Sequence, residues 1–503
     1  MEQKIERGRL KKAMSQEVAE IMVAPTLRGE PVEKTYQLYI DVNKAHVLML
    51  AHQGIIKKSA AAKILAVAQE MSDMGSQPAF PLSPDLEEMY FNLENYLIGR
   101  VGMEVGGQQH TARSRNDLHA VVDRMTVRNI LIALEDELNK FRRTLLDLAH
   151  KNTDAVMSGY THLQPSEPIT FAHYLSAVCS ALERDFARID GVWPRLNLNP
   201  LGGGSMGSTT WPIDRRMTAR LLGFDGIVEN SLDCVCSRDY LLELMSATAM
   251  LANTLARLST DMRIWSAPEY GYIEVSDDCA VCSSIMPQKK NPWTFESCAS
   301  FSARVKGASD AAWMTYKGVP YAFTMESMDA ISNLWPCMND INGMLRLLGV
   351  TMSGVTFHRE RALSWAGTNF STVTELANSL VREDHLSFRA AHEIVAHAVG
   401  ILQEKNENAA GIKASMLSDI STELFGKKLT ITDEAIARAL DPAKNVESKT
   451  VEGGTSAKEV ERQLSLLEER LSRDQAAVEK KQHSLAAAKR ELDAEVEAFV
   501  SAA

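Results

Sequence analysis

Apolar positions recur at helical spacing over long, unbroken stretches of this chain. LHAVVDRMTVRNILIALEDELNKFRRTLLDLAHK (118–151) contains neither Gly nor Pro. At 1.5 Å per residue it predicts a helix of roughly 50 Å. YLLELMSATAMLANTLARLSTDMRIW (240–265) is a second such run, and ASFSARVKGASDAAWMTY (299–316) resembles a third. LEEMYFNLENYLIG (86–99) has the same spacing and predicts a helix stopping at Gly99. LSFRAAHEIVAHAVG (386–400) predicts a shorter amphipathic helix. No stretch alternates with period two for long enough to argue for a sheet core, and no solenoid repeat is present. Helices this long need partners along their whole length. The pattern therefore predicts an all-α subunit that shares a bundle with other subunits.

The last fifty residues have a different rhythm. Leu464, Leu471, Val478, Leu485, Leu492 and Phe499 repeat every seven positions. Val460, Leu467 and Ala488 form a companion row, which Asp474, Lys481 and Glu495 interrupt. One clean row and one broken row predict a terminal amphipathic helix packed on its own subunit rather than a coiled coil.

A chain of 503 residues exceeds one ordinary core. Three units are expected: a mostly helical N-terminal domain (1–118), a central long-helix domain (119–369) and a small helical C-terminal domain (370–503) that carries the terminal helix. A net charge of −11 excludes a general nucleic-acid or membrane-surface binder, though a local basic pocket can still take an anion. No run is long and apolar enough to span a membrane, and the first residues, MEQKIERGRLKKAM, lack a hydrophobic signal core. Seven cysteines fit a reducing cytoplasm. Cys234 with Cys236, and Cys279 with Cys282, match only half of a zinc-ribbon pattern. Buried small residues are the expectation there, and neither a metal nor a cofactor is expected.

The breaks between the long runs carry the chemistry. HTARSRND (110–117) puts Arg113, Ser114, Arg115 and Asn116 side by side. It suits a carboxylate clamp. It also suits a solvated turn with Asn116 or Asp117 capping the next helix. GYTHLQPSEP (159–168) offers Thr161, His162 and Gln164; a histidine there is a proton carrier or a structural hydrogen-bonder. NPLGGGSMGS (199–208) lacks the GK[ST] of a phosphate loop, so a flexible loop or close backbone packing is expected. CSSIMPQKKNPW (282–293) sets two serines beside two lysines and an asparagine. A serine acts as a base only where donors and positive charge hold its oxyanion, and Lys289, Lys290 and Asn291 are such donors. No nucleophile elbow occurs here, so a base or an oxyanion binder is favoured over an acyl acceptor.

SSIMPQKKNP resembles the signature loop of the aspartase/fumarase superfamily. HTARSRND resembles the argininosuccinate lyase version of that superfamily's first conserved region, and GYTHLQP its second. PLGGGSMGSTTWPIDR, SRDYLLE, WSAPEYGYIE and VEGGTSAKEVERQ extend the resemblance almost end to end. It implies a homotetramer whose central helices form a twenty-helix bundle, with each active site built by three subunits. It also implies reversible elimination of fumarate from a substituted succinate, through an aci-carboxylate dianion. By resemblance Ser283 is the base, with Lys289 and Asn291 stabilising the developing charge. Ser114, Arg115, Asn116 and Thr161 hold substrate carboxylates, with Arg113, Gln164, Ser284 and Met286 counted in the substrate-binding set. His162 takes the position of the proposed general acid, and Glu296 that of its carboxylate partner.

The chain departs from the argininosuccinate lyase pattern where that family grips arginine. Cys282 stands for a glycine, Trp293 for an Asp, Phe323 for a Tyr, Thr324 for an Asn, Met328 for a Gln and Ile331 for a Lys. A buried polar group left unpaired costs roughly 1–3 kcal/mol, so losing several together removes selectivity for arginine. The fumarate half is kept. The expected activity is a carbon–nitrogen lyase acting on a different N-substituted L-aspartate, with Trp293, Phe323, Met325 and Met328 shaping a less polar amine site. Lyases of aminopolycarboxylic acids, such as ethylenediaminedisuccinate lyase, are the models. The alternatives are a true argininosuccinate lyase, a crystallin-like structural protein, and a lyase expelling something other than an amine.

Overall fold

The computed structural model describes residues 14–502. The first thirteen residues, read above as lacking a signal core, lie outside that range. α1 (Glu30–His52), α2 (Lys58–Ser72) and α3 (Met89–Val101) form the N-terminal unit. α3 runs past Gly99, the expected stop. It ends at Gly102, whose φ of 80° is a conformation that glycine adopts readily. α4 (Arg115–His150) is the longest helix of the central region. Its N-cap is Ser114 rather than Asn116 or Asp117, and Asp117 closes a capping box by accepting the Ser114 N–H at 2.9 Å.

A hairpin of β1 (Val156–Thr161) and β2 (Gln164–Thr170) follows. Then come α5 (Phe171–Asp190), α6 (Asp239–Trp265), α7 (Trp293–Tyr316) and α8 (Leu334–Ser353). These helices and α4 share one core, with Leu138, Leu175, Leu251, Phe295 and Leu348 fully or almost fully buried. α9 (Val373–Asp384), α10 (Phe388–Glu404), α11 (Ala414–Phe425) and α12 (Asp433–Leu440) build a separate small core around Leu380, Ile394 and Leu417.

α13 (Ala457–Ser501) lies apart from that small core. Its row of sevens is buried in the central core at Leu464, Leu471 and Val478 and in the N-terminal core at Leu492. The three residues that break the companion row are ion-paired to the same subunit. Asp474 meets Arg142 at 2.6 Å, Lys481 meets Glu135 and Asp190 at 2.7 Å each, and Glu495 meets Arg220 at 3.0 Å. The N-terminal core also takes in Leu118, Val121, Val122 and Met125, so α4 runs through the expected boundary at residue 118 and joins two cores.

Candidate active site

The first conserved stretch sits where α4 begins. Ser114 accepts the Asn116 N–H at 3.3 Å, and Asn116 Nδ2 donates to the Ser205 carbonyl at 3.1 Å. Asp117 is fully buried; its other oxygen accepts the N–H groups of Gly202 and Gly204 at 2.9 and 3.0 Å. The glycine-rich run is thus close backbone packing: a Cβ on Gly203 would meet that of Cys234 at 2.7 Å. Arg113 is 8% exposed, with its guanidinium 5.7 Å from the centre of the Tyr90 ring. It faces inward, away from the surface that Asn116 and Arg115 present. Arg115 is half exposed and already engaged, 2.9 Å from Glu87 and 3.1 Å from Glu88.

The second stretch is the hairpin tip. Thr161 pairs with Gln164, and the two residues between them, His162 and Leu163, have φ of 55° and 58°. That is the backbone of a two-residue primed turn made without glycine, a strained choice for leucine. It holds Thr161, His162 and Gln164 out at the surface. Gly159 marks a bulge lower in β1, where a Cβ would come within 2.8 Å of the Glu167 carbonyl. A cavity of about 410 Å³ lies beneath the tip, lined in part by His162, Tyr174, Asp261, Trp265 and Tyr270.

The third stretch is a looped hairpin in which Val281–Cys282 pairs with Lys290–Asn291. Cys282 is therefore extended strand and does not adopt the positive φ that a required glycine would imply. Ser283 N–H donates to the Lys289 carbonyl at 3.1 Å. Its Oγ accepts the backbone N–H groups of Met286 at 3.1 Å and Ile285 at 3.3 Å. Lys289 Nζ donates to Asn291 Oδ1 at 2.5 Å. Lys290 is turned aside to Glu274 and Asp277, at 2.9 and 2.6 Å. Ser284, Met286 and Glu296 are exposed, and Trp293 is half exposed at the start of α7.

In the segment around Phe323, Thr324 caps a short helix, accepting the Ser327 N–H at 3.4 Å. Met328 is partly buried. Phe323 lies 6.4 Å from His119, ring centre to ring centre, tilted 21°. That contact brings the Phe323 segment to the α4 terminus within one subunit. His119 and Glu88, joined at 2.5 Å, were not visible to sequence reasoning; a histidine one helical turn past the Arg–Ser–Arg–Asn run was the available signal.

The α4 terminus and the Phe323 segment therefore meet. Among the described residues no hydrogen bond, ion pair or ring contact links the Ser283 loop to the hairpin tip or to the α4 terminus, and none joins His162 to Glu296. Also among them, no three His, Cys, Asp or Glu side chains group as metal ligands, and no helix is long and apolar enough to cross a membrane.

A lyase family model matches residues 2–307, and an argininosuccinate lyase C-terminal model matches 370–447. Argininosuccinate lyase 1 of Shouchella clausii (strain KSM-K16) is 41% identical over 468 residues, 93% of this chain and 94% of that protein. The chain belongs to the argininosuccinate lyase branch of the aspartase/fumarase superfamily. The argininosuccinate lyase of Methanothermobacter thermautotrophicus is 36% identical over 89% of this chain and 94% of its own length. Among solved structures, an EDDS lyase variant with bound fumarate superposes with a TM-score of 0.85 at 28% identity, covering 98% of this chain and 97% of that one. This lyase thus carries the sequence signature of one activity and a fold close to that of an enzyme with a different name.

Proposed function

We propose that this lyase reversibly eliminates fumarate from an N-substituted L-aspartate and that its amine is not arginine. The observation that carries the reading is Ser283 Oγ, which receives two backbone N–H groups in an exposed loop beside Lys289. Preorganised donors lower the cost of an alkoxide, and a water-poor site strengthens them. As alkoxide, Ser283 takes the proton from the carbon next to a substrate carboxylate. The electron pair moves into that carboxylate as an aci-carboxylate, which Lys289 and Asn291 stabilise. Its collapse forms the carbon–carbon double bond and breaks the carbon–nitrogen bond; His162, with Glu296 behind it, supplies the proton to the departing amine. Thr161, Gln164, Ser114, Arg115 and Asn116 orient the carboxylates.

The complete site requires several subunits of a homotetramer. The Ser283 loop, the hairpin tip and the glycine-rich run packed on the α4 start carry exposed apolar side chains that want cover: Ile285 (82%), Leu163 (62%) and Met206 (46%). An assembly that buries them brings the segments together. On the amine side, Phe323 and Met328 offer no hydrogen bond in place of the missing Tyr and Gln, which supports a less polar amine.

The relatives' name favours a second reading, a true argininosuccinate lyase. One experiment separates the two: fumarate with a panel of amines, diamines and amino acids, arginine included, followed by loss of fumarate absorbance. Consumption with amines other than arginine supports the proposal; consumption with arginine alone supports the second reading. No consumption with any amine, and no fumarate from argininosuccinate, removes both.

A further inference from the structure

The cavity of about 410 Å³ beneath the hairpin tip has a wall that the proposed elimination does not use. Tyr160, Tyr174, Trp265 and Tyr270 supply four aromatic rings to it, and Asp261 supplies a carboxylate. No lysine or arginine is among its lining residues. Its volume falls in the range of small-molecule sites. His162 and Leu163 also line it, and both are exposed, so it is reached from the tip.

Four stretches of chain bring these groups together. Tyr160 lies in β1 and Tyr174 in α5; Asp261 and Trp265 occupy the last turn of α6, and Tyr270 the loop that follows. Tyr174 and Trp265 meet edge to face with their centres 4.6 Å apart, and Tyr160 and Tyr270 do so at 5.7 Å. Neither pair is stacked flat, so ring faces, where the π charge is negative, remain for a cation.

The Tyr174 hydroxyl donates to Asp261 Oδ2 at 2.7 Å, which fixes the carboxylate against the ring wall. Burial, and after it the charge of Asp261, raise the Tyr174 phenol well above its usual value. It is therefore a neutral donor that does not neutralise the carboxylate. Among the described residues Asp261 forms no ion pair. Arg257, one helical turn earlier, lines the neighbouring groove and not this cavity. An anion would be repelled here, and a neutral ligand would leave the charge uncompensated.

We propose that this cavity is a binding site for a small organic ammonium ion, its charge facing Asp261 and its carbon chain against the four rings. The site goes beyond the lyase reading and does not depend on it.

The probe is n-propylammonium, titrated calorimetrically into the assembled full-length protein without fumarate, with propan-1-ol as its uncharged match. The ammonium is expected to bind at least about tenfold more tightly than the alcohol. Asp261→Asn, which can still accept from Tyr174, is expected to lose about tenfold or more of that affinity. Tyr270→Leu is expected to lose about two- to fivefold. Arg257→Gln is expected to bind no more weakly than the unchanged protein. Thermal melting shows which variants fold; should Asp261→Asn not fold, the comparison of ammonium with alcohol and the Tyr270 variant decide. No measurable binding of the ammonium, equal affinity for the alcohol, or full ammonium binding in Asp261→Asn overturns the inference. None of these results touches fumarate chemistry, so each leaves the lyase reading standing.

Discussion

At the scale of single residues, the reactivity proposed for Ser283 rests on where its loop folds. Without its two backbone donors the hydroxyl would be an ordinary polar group; with them, and with Lys289 near, it can carry charge. Ser283→Ala is expected to lower kcat by about 10³-fold or more in a fumarate assay, with the assembly unchanged by size-exclusion chromatography. Lys289→Met is expected to cost about 10²- to 10³-fold, since it removes the charge proposed to stabilise the aci-carboxylate. Near-normal turnover in Ser283→Ala would remove it as the base. Ser283 and His162 stood out as candidates in the sequence because each lies in a short motif whose composition is odd for a helical protein. Glu88 and His119 were not. They stand 31 positions apart, and only the fold sets them 2.5 Å apart.

At the scale of elements, local pattern predicted the long helices well. The run read over 240–265 is α6, Asp239–Trp265, because apolar spacing without Gly or Pro leaves little else for it to do. The misreadings came from capping. Gly99 was taken as a stop, yet it has a helical backbone and Gly102 supplies the positive φ. The hairpin was missed as strand because prolines and polar residues hide its alternation. Its bulge makes a prediction: Gly159→Ala drives a methyl group against the Glu167 carbonyl. It is expected to destabilise the hairpin by about 1–3 kcal/mol and to lower activity through Thr161 and His162, as chemical denaturation and kinetics would report.

The row of sevens in α13 was plain in the sequence, but the partners of its polar interruptions were not. Glu135 is fully buried opposite Lys481, and burial pushes it from 4.5 up to about 7 against the pull of that lysine. A folded carboxyl that holds its proton more tightly than the unfolded chain stabilises most at low pH. Its contribution is complete below about pH 4.5 and is lost as pH rises through about 7. Glu135→Gln is therefore expected to flatten the stability curve across that window in denaturant titrations. Lys481→Met is expected to cost about 3–5 kcal/mol at pH 8, where Glu135 is left charged and buried, and clearly less at pH 5.

At the scale of the whole molecule, one subunit presents its chemistry in pieces. The α4 terminus and the Phe323 segment meet, while the Ser283 loop and the His162 tip stand apart from them, with bare apolar side chains on each. A groove of about 670 Å³ runs between α5, α6 and α7, with half-exposed Trp313 and Met250 on its wall. These faces are open to the bundle of subunits that the length of the helices led the sequence reading to expect. Which loop would come from which subunit of the proposed assembly was not legible, because it depends on surfaces of more than one chain.

The central claim is a lyase site whose base and acid come from different protomers, and mixing two dead variants tests it most directly. Ser283→Ala and His162→Ala, each expected to be nearly inactive alone, would be denatured together, refolded and assayed for fumarate release. Random reassembly leaves about a quarter of the sites with both residues intact, so the mixture is predicted to recover about that share of wild-type turnover. A mixture as inactive as its two components, from a wild-type protein that is active after the same refolding, would contradict the account.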